Sequence, residues 1–319
     1  MKVLSIEGVS IEGIAACVPK NAVANDEKAQ KATGIRTRRI AAPGTTVADL
    51  CVAAAEKVLR DTRTKPDDFG AVLCVSFTQA NRMPATACEA QARLGFPKDV
   101  IAFDVSLACS GWGYGLYLAA LLARQTGKKT LLLDGDVQSA YATDDSTAPL
   151  LGDAGTATVV GVDSNTEAQR NGEAWRFAFV ADGAKGNALK LENGGTIQMD
   201  GFGVFKFVAT DVVACIKEFA LHCSPSTFTF APHQPNVYMV RQLAKSVGIA
   251  EDRTAISCDE LGNLSSASIP VTIARKGVRG SVLFAGFGGG LSVAVGMISI
   301  DGGCKLSFDD GTIRKENRV

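Results

Sequence analysis

One of the nine cysteines lies where its chemistry can be used. Cys109 follows a buried strand predicted at residues 100–105, and the small residues at 108–111 form a tight turn that leads into an apolar helix. Unpaired N–H groups at the start of a helix favour a thiolate, which lowers the pKa of a cysteine and raises its reactivity. The other eight cysteines lie mostly in apolar stretches and are expected to be small buried side chains.

Two further side chains follow predicted strands in the second half of the chain. His233 comes directly after a strand predicted at 227–231, and Asn263 follows a strand predicted at 254–258. Each of these turns then opens a helix, as the turn at Cys109 does. Turns of this kind meet along one edge of a sheet, so we expect Cys109, His233 and Asn263 to form one site for covalent catalysis.

Strands that are apolar throughout alternate with helices along the chain. This pattern predicts an α/β fold with a parallel-rich sheet covered on both faces. The second half repeats the rhythm of the first, which indicates two similar halves: residues 1–165 with the cysteine, and residues 166–319 with the histidine and asparagine. Residues after Ile300 are Gly-rich and charged, and we expect them to form an exposed tail.

Composition excludes several classes of function. The 33 basic and 33 acidic residues balance, which argues against binding nucleic acid or an anionic membrane through charge. Apolar runs are too short to span a bilayer and the N-terminus has no signal-peptide core, so a cytoplasmic location is expected. The cysteines form no C-x-x-C pair and only two histidines are present, so neither a metal site nor a cofactor is expected.

Four motifs in order along the chain carry a resemblance to a known family. They are Ala108-Cys-Ser-Gly111, Pro232-His-Gln234, Gly262-Asn263 and Ala285-Gly-Phe-Gly-Gly-Gly290. With them the chain resembles the condensing enzymes of the thiolase superfamily, and most of all the β-ketoacyl-acyl carrier protein synthase III family. The resemblance implies a thiolase-like five-layer αβαβα fold with mixed, parallel-rich sheets, and a homodimer whose interface borders the acyl pocket.

The same resemblance implies an acyl-thioester condensing activity. An acyl group moves to Cys109, and a malonyl-carrier thioester then loses CO₂ and condenses with it while His233 and Asn263 donate hydrogen bonds to the thioester oxygen. The backbone N–H groups of Cys109 and Gly289 are the expected oxyanion hole. The residues expected at the acyl pocket are Phe287, near the nucleophile, and Met83, in a loop at 76–85 that reaches across the dimer.

The chain departs from the family pattern where coenzyme A would bind. The tryptophan that stacks on the adenine is missing before Gly34, and Asp145 occupies the place of the arginine on its other face. The donor is therefore either an acyl-acyl carrier protein or an acyl-CoA held in another way. Lys206, Arg241 and Lys245 are candidates for docking the carrier protein, and ordinary solvated surface residues are an equally good interpretation of them.

Two alternatives to condensation stay open at this point. An acyltransferase on the same scaffold would move the acyl group from Cys109 to a hydroxyl or an amine. A partner subunit of a heterodimeric synthase would carry no activity of its own. Decarboxylation needs a pair of hydrogen-bond donors, so the presence of both His233 and Asn263 favours condensation over simple acyl transfer. The intact set of Cys109, His233 and Asn263 argues against an inactive subunit.

Overall fold

The computed structural model describes residues 1–162, 174–223 and 227–311. Its strands are β1 (Leu4–Ile6), β2 (Val9–Cys17), β3 (Ala22–Ala24), β4 (Thr37–Arg39), β5 (Phe69–Val75), β6 (Ile101–Val105), β7 (Lys129–Asp136), β8 (Ala154–Val162), β9 (Trp175–Ala181), β10 (Leu189–Leu191), β11 (Ile197–Met199), β12 (Thr229–Pro232), β13 (Gly280–Gly288), β14 (Ser292–Ile300) and β15 (Lys305–Asp309). Its α-helices are α1 (Glu27–Thr33), α2 (Val47–Thr62), α3 (Thr86–Arg93), α4 (Gly111–Thr126), α5 (Gly201–Phe207), α6 (Val213–Ala220), α7 (Val237–Val247), α8 (Cys258–Leu261) and α9 (Ser268–Lys276). A π-helical turn, Val208–Val212, joins α5 to α6.

Two mixed sheets form the frame of the fold. The first has the strand order β15-β2-β8-β7-β5-β6, and the second has the order β1-β9-β14-β13-β12. In the first sheet β5 runs parallel to both β6 and β7, whereas β8 is antiparallel to its neighbours. In the second sheet β12 is parallel to β13, which is antiparallel to β14.

Helix α4 lies between the two sheets and contacts strands of both. Its glycines make this close packing possible, because a Cβ at Gly113 would lie 2.7 Å from the Cβ of Ala294 in the second sheet. A Cβ at Gly115 would lie 2.7 Å from Val75 in the first sheet. Helix α9 also packs in this layer, against β2 and β12. The glycines therefore serve helix packing, although they weaken an isolated helix.

The outer faces of the sheets are covered by separate groups of helices. Helices α2 and α3 pack on the first sheet, and α6 packs on the second and against α7. Three clusters of buried apolar side chains fill the interfaces between the layers. This arrangement confirms the five-layer αβαβα architecture. No helix among the described residues is both long and apolar enough to cross a membrane.

Segments near the two ends of the described chain cross between the halves. Strand β1 pairs with β9 in the second sheet, and β15 pairs in parallel with β2 at the edge of the first. The expectation of an exposed tail is thus wrong for Lys305–Asp309, because Leu306 and Phe308 pack against the central core. The boundary expected between residues 165 and 166 lies outside the described residues, and the division into two halves stays a prediction.

Candidate active site

The turn before α4 places Cys109 against the second sheet. Its side chain is 9% exposed, and a Cβ at Gly288 would lie only 2.8 Å from the Cβ and 3.0 Å from the Sγ of Cys109. Ser110 fixes the start of the helix to the same sheet, because its hydroxyl lies 2.7 Å from that of Ser292 on β14. The glycines at the end of β13 are therefore needed for the approach of the cysteine.

The surroundings of Cys109 keep its thiol protonated. Burial raises the pKa of Cys109 to about 12, and the negative charge of Asp136 acts in the same direction. The Ser265 hydroxyl and the N–H groups of Cys109 and Gly289 lower the pKa, but their effects are smaller than that of burial. The expectation of a lowered pKa at the helix start is thus wrong for the resting protein, because desolvation of the charged form dominates.

His233 follows β12 and continues its ladder. Its backbone N–H donates to the Ala285 carbonyl at 2.8 Å. The adjacent Gln234 side chain fixes the turn: its amide donates to the Pro232 carbonyl at 2.9 Å and accepts from the Ser257 N–H at 3.0 Å. The side chain of Gln234 therefore holds the residues just before α8. The strand predicted at 254–258 is wrong, because only an isolated bridge at Thr254 forms there.

The imidazole of His233 is uncharged in this environment. It is 2% exposed, and burial lowers its pKa to about 3, which the backbone of Ser265 offsets only in part. Its ring packs edge-on against Phe287 at a centroid distance of 5.3 Å, and Nδ1 has no hydrogen-bond partner among the described residues. A neutral imidazole retains one N–H donor across the whole neutral pH range.

Asn263 lies between two loops that hold its backbone on both sides. Its N–H donates to the Leu150 carbonyl at 2.8 Å, and its carbonyl accepts from Gly152 at 2.9 Å and from the Gln138 amide at 2.6 Å. The side-chain Oδ1 accepts from the Ser265 N–H at 2.9 Å. This last bond uses Oδ1, so the part of the amide that can serve as a donor is Nδ2. Asn263 follows the short helix α8 and not a strand, in contrast to the sequence prediction.

Ser265 joins the three predicted site residues. Its hydroxyl lies 4.0 Å from the Sγ of Cys109, its N–H binds Asn263, and its backbone acts on the His233 imidazole. It adopts a left-handed conformation with φ 53°, which is uncommon for a residue other than glycine. Sequence reasoning missed this serine, because it sits among the serines and alanines at 265–268 with no spacing that distinguishes it.

Two buried carboxyl groups on β7 lie behind Ser265. Burial raises the pKa of Asp136 to about 7 although the Phe77 N–H and the Ser265 hydroxyl lower it. Burial also holds the pKa of Asp134 well above its ordinary value, and the charge of Asp136 adds to this. The sequence prediction did not include these carboxyl groups, because they lie at the end of β7, after an apolar run that reads as an ordinary buried strand.

The remaining predicted residues lie at different distances from this group. Gly289 is close to Cys109 through its N–H, whereas the side chain of Met83 is 85% exposed in the single protomer. Lys206 lies on the exposed side of α5. Arg241 and Lys245 lie one turn apart on α7 and line a cavity of about 510 Å³, where Arg241 pairs with Glu251 at 2.8 Å. The structure therefore does not bring these basic residues or Met83 to the cysteine.

Two models of one protein family match parts of this chain. The family model of 3-oxoacyl-[acyl-carrier-protein] synthase III matches residues 103–190, and the model of its C-terminal part matches residues 227–300. The β-ketoacyl-[acyl-carrier-protein] synthase III of Aquifex aeolicus is 30% identical over 89% of this chain and 97% of its own length. That of Natranaerobius thermophilus is 33% identical over 82% of this chain and 86% of its own length. The chain belongs to the β-ketoacyl-acyl carrier protein synthase III family.

Solved structures of the family share the fold described above. A 3-oxoacyl-(acyl-carrier protein) synthase from Burkholderia xenovorans has a TM-score of 0.89 at 29% identity and covers 96% of this chain and 98% of its own. The matched range at 103–190 includes Cys109, and the range at 227–300 includes His233 and Asn263. No group of three or more His, Cys, Asp or Glu side chains in the described part of the chain is placed to hold a metal ion.

Proposed function

We propose that this protein is an acyl-thioester condensing enzyme. Cys109 receives an acyl group and passes it to a malonyl-carrier thioester in a decarboxylative Claisen condensation. The observation that carries the proposal is the meeting of Cys109, His233 and Asn263 around Ser265, with each side chain supplied by a different turn. The names of the family relatives, synthases that act on acyl carrier protein, support the same reaction.

In the first half-reaction the sulfur of Cys109 attacks the carbonyl carbon of the donor thioester. Negative charge develops on the carbonyl oxygen, and the N–H groups of Cys109 and Gly289 are the donors proposed to bind it. Both N–H groups already act on the sulfur in the resting protein, so they lie beside the reacting bond. Donors held in place in this way stabilise charge without reorganising as it forms. The bond between the acyl carbon and the donor sulfur then breaks, and the donor leaves as a thiol with the proton that Cys109 has lost.

In the second half-reaction the malonyl thioester loses CO₂ and leaves an enolate. Neutral His233 and the Nδ2 of Asn263 donate hydrogen bonds to the enolate oxygen, which gains charge only as the C–C bond breaks. The resulting carbanion attacks the acyl carbonyl on Cys109. The cysteine sulfur then leaves as a thiolate and takes up a proton from solvent, which is the one proton that the decarboxylative condensation consumes. A buried His233 beside Phe287 suits this step, because a dry site protects the carbanion from protonation by water.

The comparisons do not favour the two alternatives. The matched relatives carry the name of a condensing synthase and not of an acyltransferase to oxygen or nitrogen. An intact set of Cys109, His233 and Asn263 argues against an inactive partner subunit. Release of CO₂ distinguishes condensation from the other two, since neither alternative decarboxylates malonyl thioester.

The proposal includes acyl carrier protein as partner. We infer that the exposed Lys206, Arg241 and Lys245 dock its acidic surface, with Arg241 partly neutralised by Glu251. The donor is proposed to be an acyl-acyl carrier protein in preference to acyl-CoA, because Asp145 stands exposed where a cation would cover adenine. A homodimer in which the exposed Met83 enters the partner's acyl pocket is also part of the proposal. A cytoplasmic location and the lack of a cofactor stay predictions from the sequence.

The test is covalent labelling of the intact protein by an acyl donor, read by mass spectrometry. Wild type is expected to gain one acyl mass and, with malonyl-acyl carrier protein, to release CO₂ and a 3-oxoacyl product. Cys109→Ala should lose both. Cys88→Ala is the control, because Cys88 is the exposed cysteine and would be the first to label non-specifically. Acyl mass that persists in Cys109→Ala and disappears in Cys88→Ala would overturn the assignment.

A further inference from the structure

Gln138 is a buried side chain that the mechanism above does not use. It lies just past the end of β7 and is 3% exposed. Its Nε2 donates one hydrogen bond to the Gly152 carbonyl at 2.9 Å and another to the Asn263 carbonyl at 2.6 Å. Both hydrogens of the amide are then used. One side chain therefore joins the loop before β8 to the segment that carries Asn263.

The two segments that Gln138 joins are also paired with each other. The Asn263 N–H donates to the Leu150 carbonyl at 2.8 Å, and the Gly152 N–H donates to the Asn263 carbonyl at 2.9 Å. These bonds form an isolated parallel bridge between Leu151 and Asn263. An isolated bridge lacks the neighbouring pairs that hold a strand in register within a sheet. The two hydrogen bonds of the Gln138 amide take the place of those neighbours.

The close approach of the two segments depends on glycines. A Cβ at Gly152 would lie 2.4 Å from the Leu261 carbonyl oxygen, and a Cβ at Gly262 would lie 2.9 Å from that of Leu150. Gly262 also has a φ of 79°, in the left-handed region that favours glycine. Glycine loses more conformational freedom on ordering than any other residue. The backbone of Asn263, directly after Gly262, therefore depends on the hydrogen bonds around it for a fixed position.

The turn that carries Gln138 is itself held on both sides. The Ser139 N–H donates to Oδ1 of Asp153 at 2.9 Å, and the Ser139 hydroxyl donates to Oδ2 at 2.6 Å. On the other side, the Val137 N–H donates to the Thr78 hydroxyl at 2.9 Å. Gln138 thus extends from a fixed backbone, and its amide is able to position the groups that it binds.

We propose that Gln138 positions Asn263 for the decarboxylation step. The inference rests on the proposed function, in which Nδ2 of Asn263 donates to the enolate oxygen. Gln138 binds the backbone carbonyl of Asn263 and acts through this residue, so it is a positioning residue. A displacement of about 1 Å in a group of an active site lowers a rate about 10²-fold, so support of the Asn263 backbone is enough to set the rate of this step.

The contacts of Gln138 predict a selective effect. Among the described residues, its side-chain hydrogen bonds go to Gly152 and Asn263 and to neither Cys109 nor His233. Acyl transfer to Cys109 is therefore expected to proceed without Gln138, whereas CO₂ release needs Asn263 in place. A general loss of structure would instead lower both half-reactions together.

The experiment compares the two half-reactions in Gln138→Met, which keeps an unbranched side chain of similar length and removes both donors. Acylation is followed by mass spectrometry of the intact protein, with acetyl- or octanoyl-acyl carrier protein as the donor. CO₂ release is then measured on the acylated protein over a range of malonyl-acyl carrier protein concentrations. Acylation should stay close to that of wild type, while kcat for CO₂ release falls on the order of 10- to 10²-fold. KM should not change, because the buried Gln138 does not reach the carrier.

Gln91→Met is the matched control. Gln91 lies on the outer helix α3, and its Nε2 donates to the carbonyls of Phe96 at 2.6 Å and Pro97 at 3.2 Å. This change removes the same pair of bonds away from the site and should leave both half-reactions unaltered. In the Asn263→Ala background, Gln138→Met should lower CO₂ release no further, because Gln138 acts through Asn263.

Each outcome decides the question. An unchanged kcat for CO₂ release in Gln138→Met, an equal loss in both half-reactions of folded protein, or a further loss in the Asn263→Ala background overturns the positioning role and leaves the proposed function intact. Acylated wild type that releases no CO₂ overturns the proposed function instead. If circular dichroism shows that Gln138→Met does not fold, Gln138→Asn replaces it. The shorter amide fits the same space and withdraws both donors from the two carbonyls, so the same selective loss is expected.

Discussion

Two buried groups of the site are predicted to set opposing pH dependences of stability. His233 has a pKa of about 3 in the folded chain against 6.5 in the unfolded chain, so only the unfolded chain binds its proton between these values. Stability therefore rises with pH in that window and is lost as pH falls. The slope is about 1.4 kcal/mol per pH unit for one proton.

Asp136 acts with the opposite sign. Its pKa is about 7 in the folded chain against 3.8 in the unfolded chain, so only the folded chain holds its proton between these values. The contribution of Asp136 to stability is fully present below the lower pKa. It is lost as pH rises toward the upper pKa, again by about 1.4 kcal/mol per pH unit. Where the windows overlap, the contributions of His233 and Asp136 cancel in the wild type.

Removal of either group should therefore expose the other. Between about pH 4.5 and about pH 6.0, the unfolding free energy of His233→Gln should fall by about 2 kcal/mol relative to wild type. That of Asp136→Asn should rise by about the same amount relative to wild type over the same range. The double variant should show no relative change.

Urea unfolding at one fixed protein concentration, at each pH, measures these differences. Every other titrating group is present in both wild type and variant, so its contribution drops out of the comparison. Curves for His233→Gln and wild type that stay parallel with pH would show that the imidazole is not buried as the neutral form. If the unfolding free energy of Asp136→Asn does not rise with pH relative to that of wild type, the raised pKa of this carboxyl group is refuted.

Three further predictions concern catalysis. Gly288→Ala would place a Cβ 2.8 Å from that of Cys109 and should slow the acylation of Cys109 about 10²-fold. Gly302→Ala is the control, because a Cβ there has no atom within 4 Å, and it should leave the rate unchanged. Equal rates of acyl mass gain in the two variants would contradict the packing argument. Asn263→Ala should spare acylation and lower CO₂ release on the order of 10²- to 10³-fold, and an equal loss in both would move Asn263 into thiol activation. Asp145→Arg should lower the KM for acyl-CoA up to about tenfold without changing that for an acyl-carrier protein, and an unchanged ratio of the two KM values would refute the adenine argument.

The local pattern predicted the alternation of strands and helices and the turns at Cys109 and His233, whereas the five layers were implied by the resemblance to the family and the strand expected before Asn263 was wrong. Cys109 and His233 each stand at the end of a strand whose apolar run is visible, and the glycines of α4 sit where the two sheets approach it. At these positions the local sequence preference and the contacts of the overall fold favour the same structure.

What escaped prediction depends on long-range contacts. Ser265 gains its role from a left-handed backbone and from contacts with residues far away in the chain, and neither leaves a mark on the sequence. The pKa of Cys109 depends on how completely the turn is buried, which the helix start alone does not reveal. The strand at Lys305–Asp309 alternates apolar and polar residues. It is only five residues long and comes soon after two glycines, so its pattern is a weak indication of a strand.

The pairing of β15 with β2 has a consequence for the synthesis of the protein. About 290 residues separate the paired positions, so the edge of the first sheet stays open while most of the chain is still being made. At the usual rate of about 5–20 residues per second, β2 waits about 15 to 60 s for its partner on the ribosome. An unpaired edge strand is a template for wrong association, so nascent chains should be most prone to aggregation, and most dependent on chaperones, during that interval.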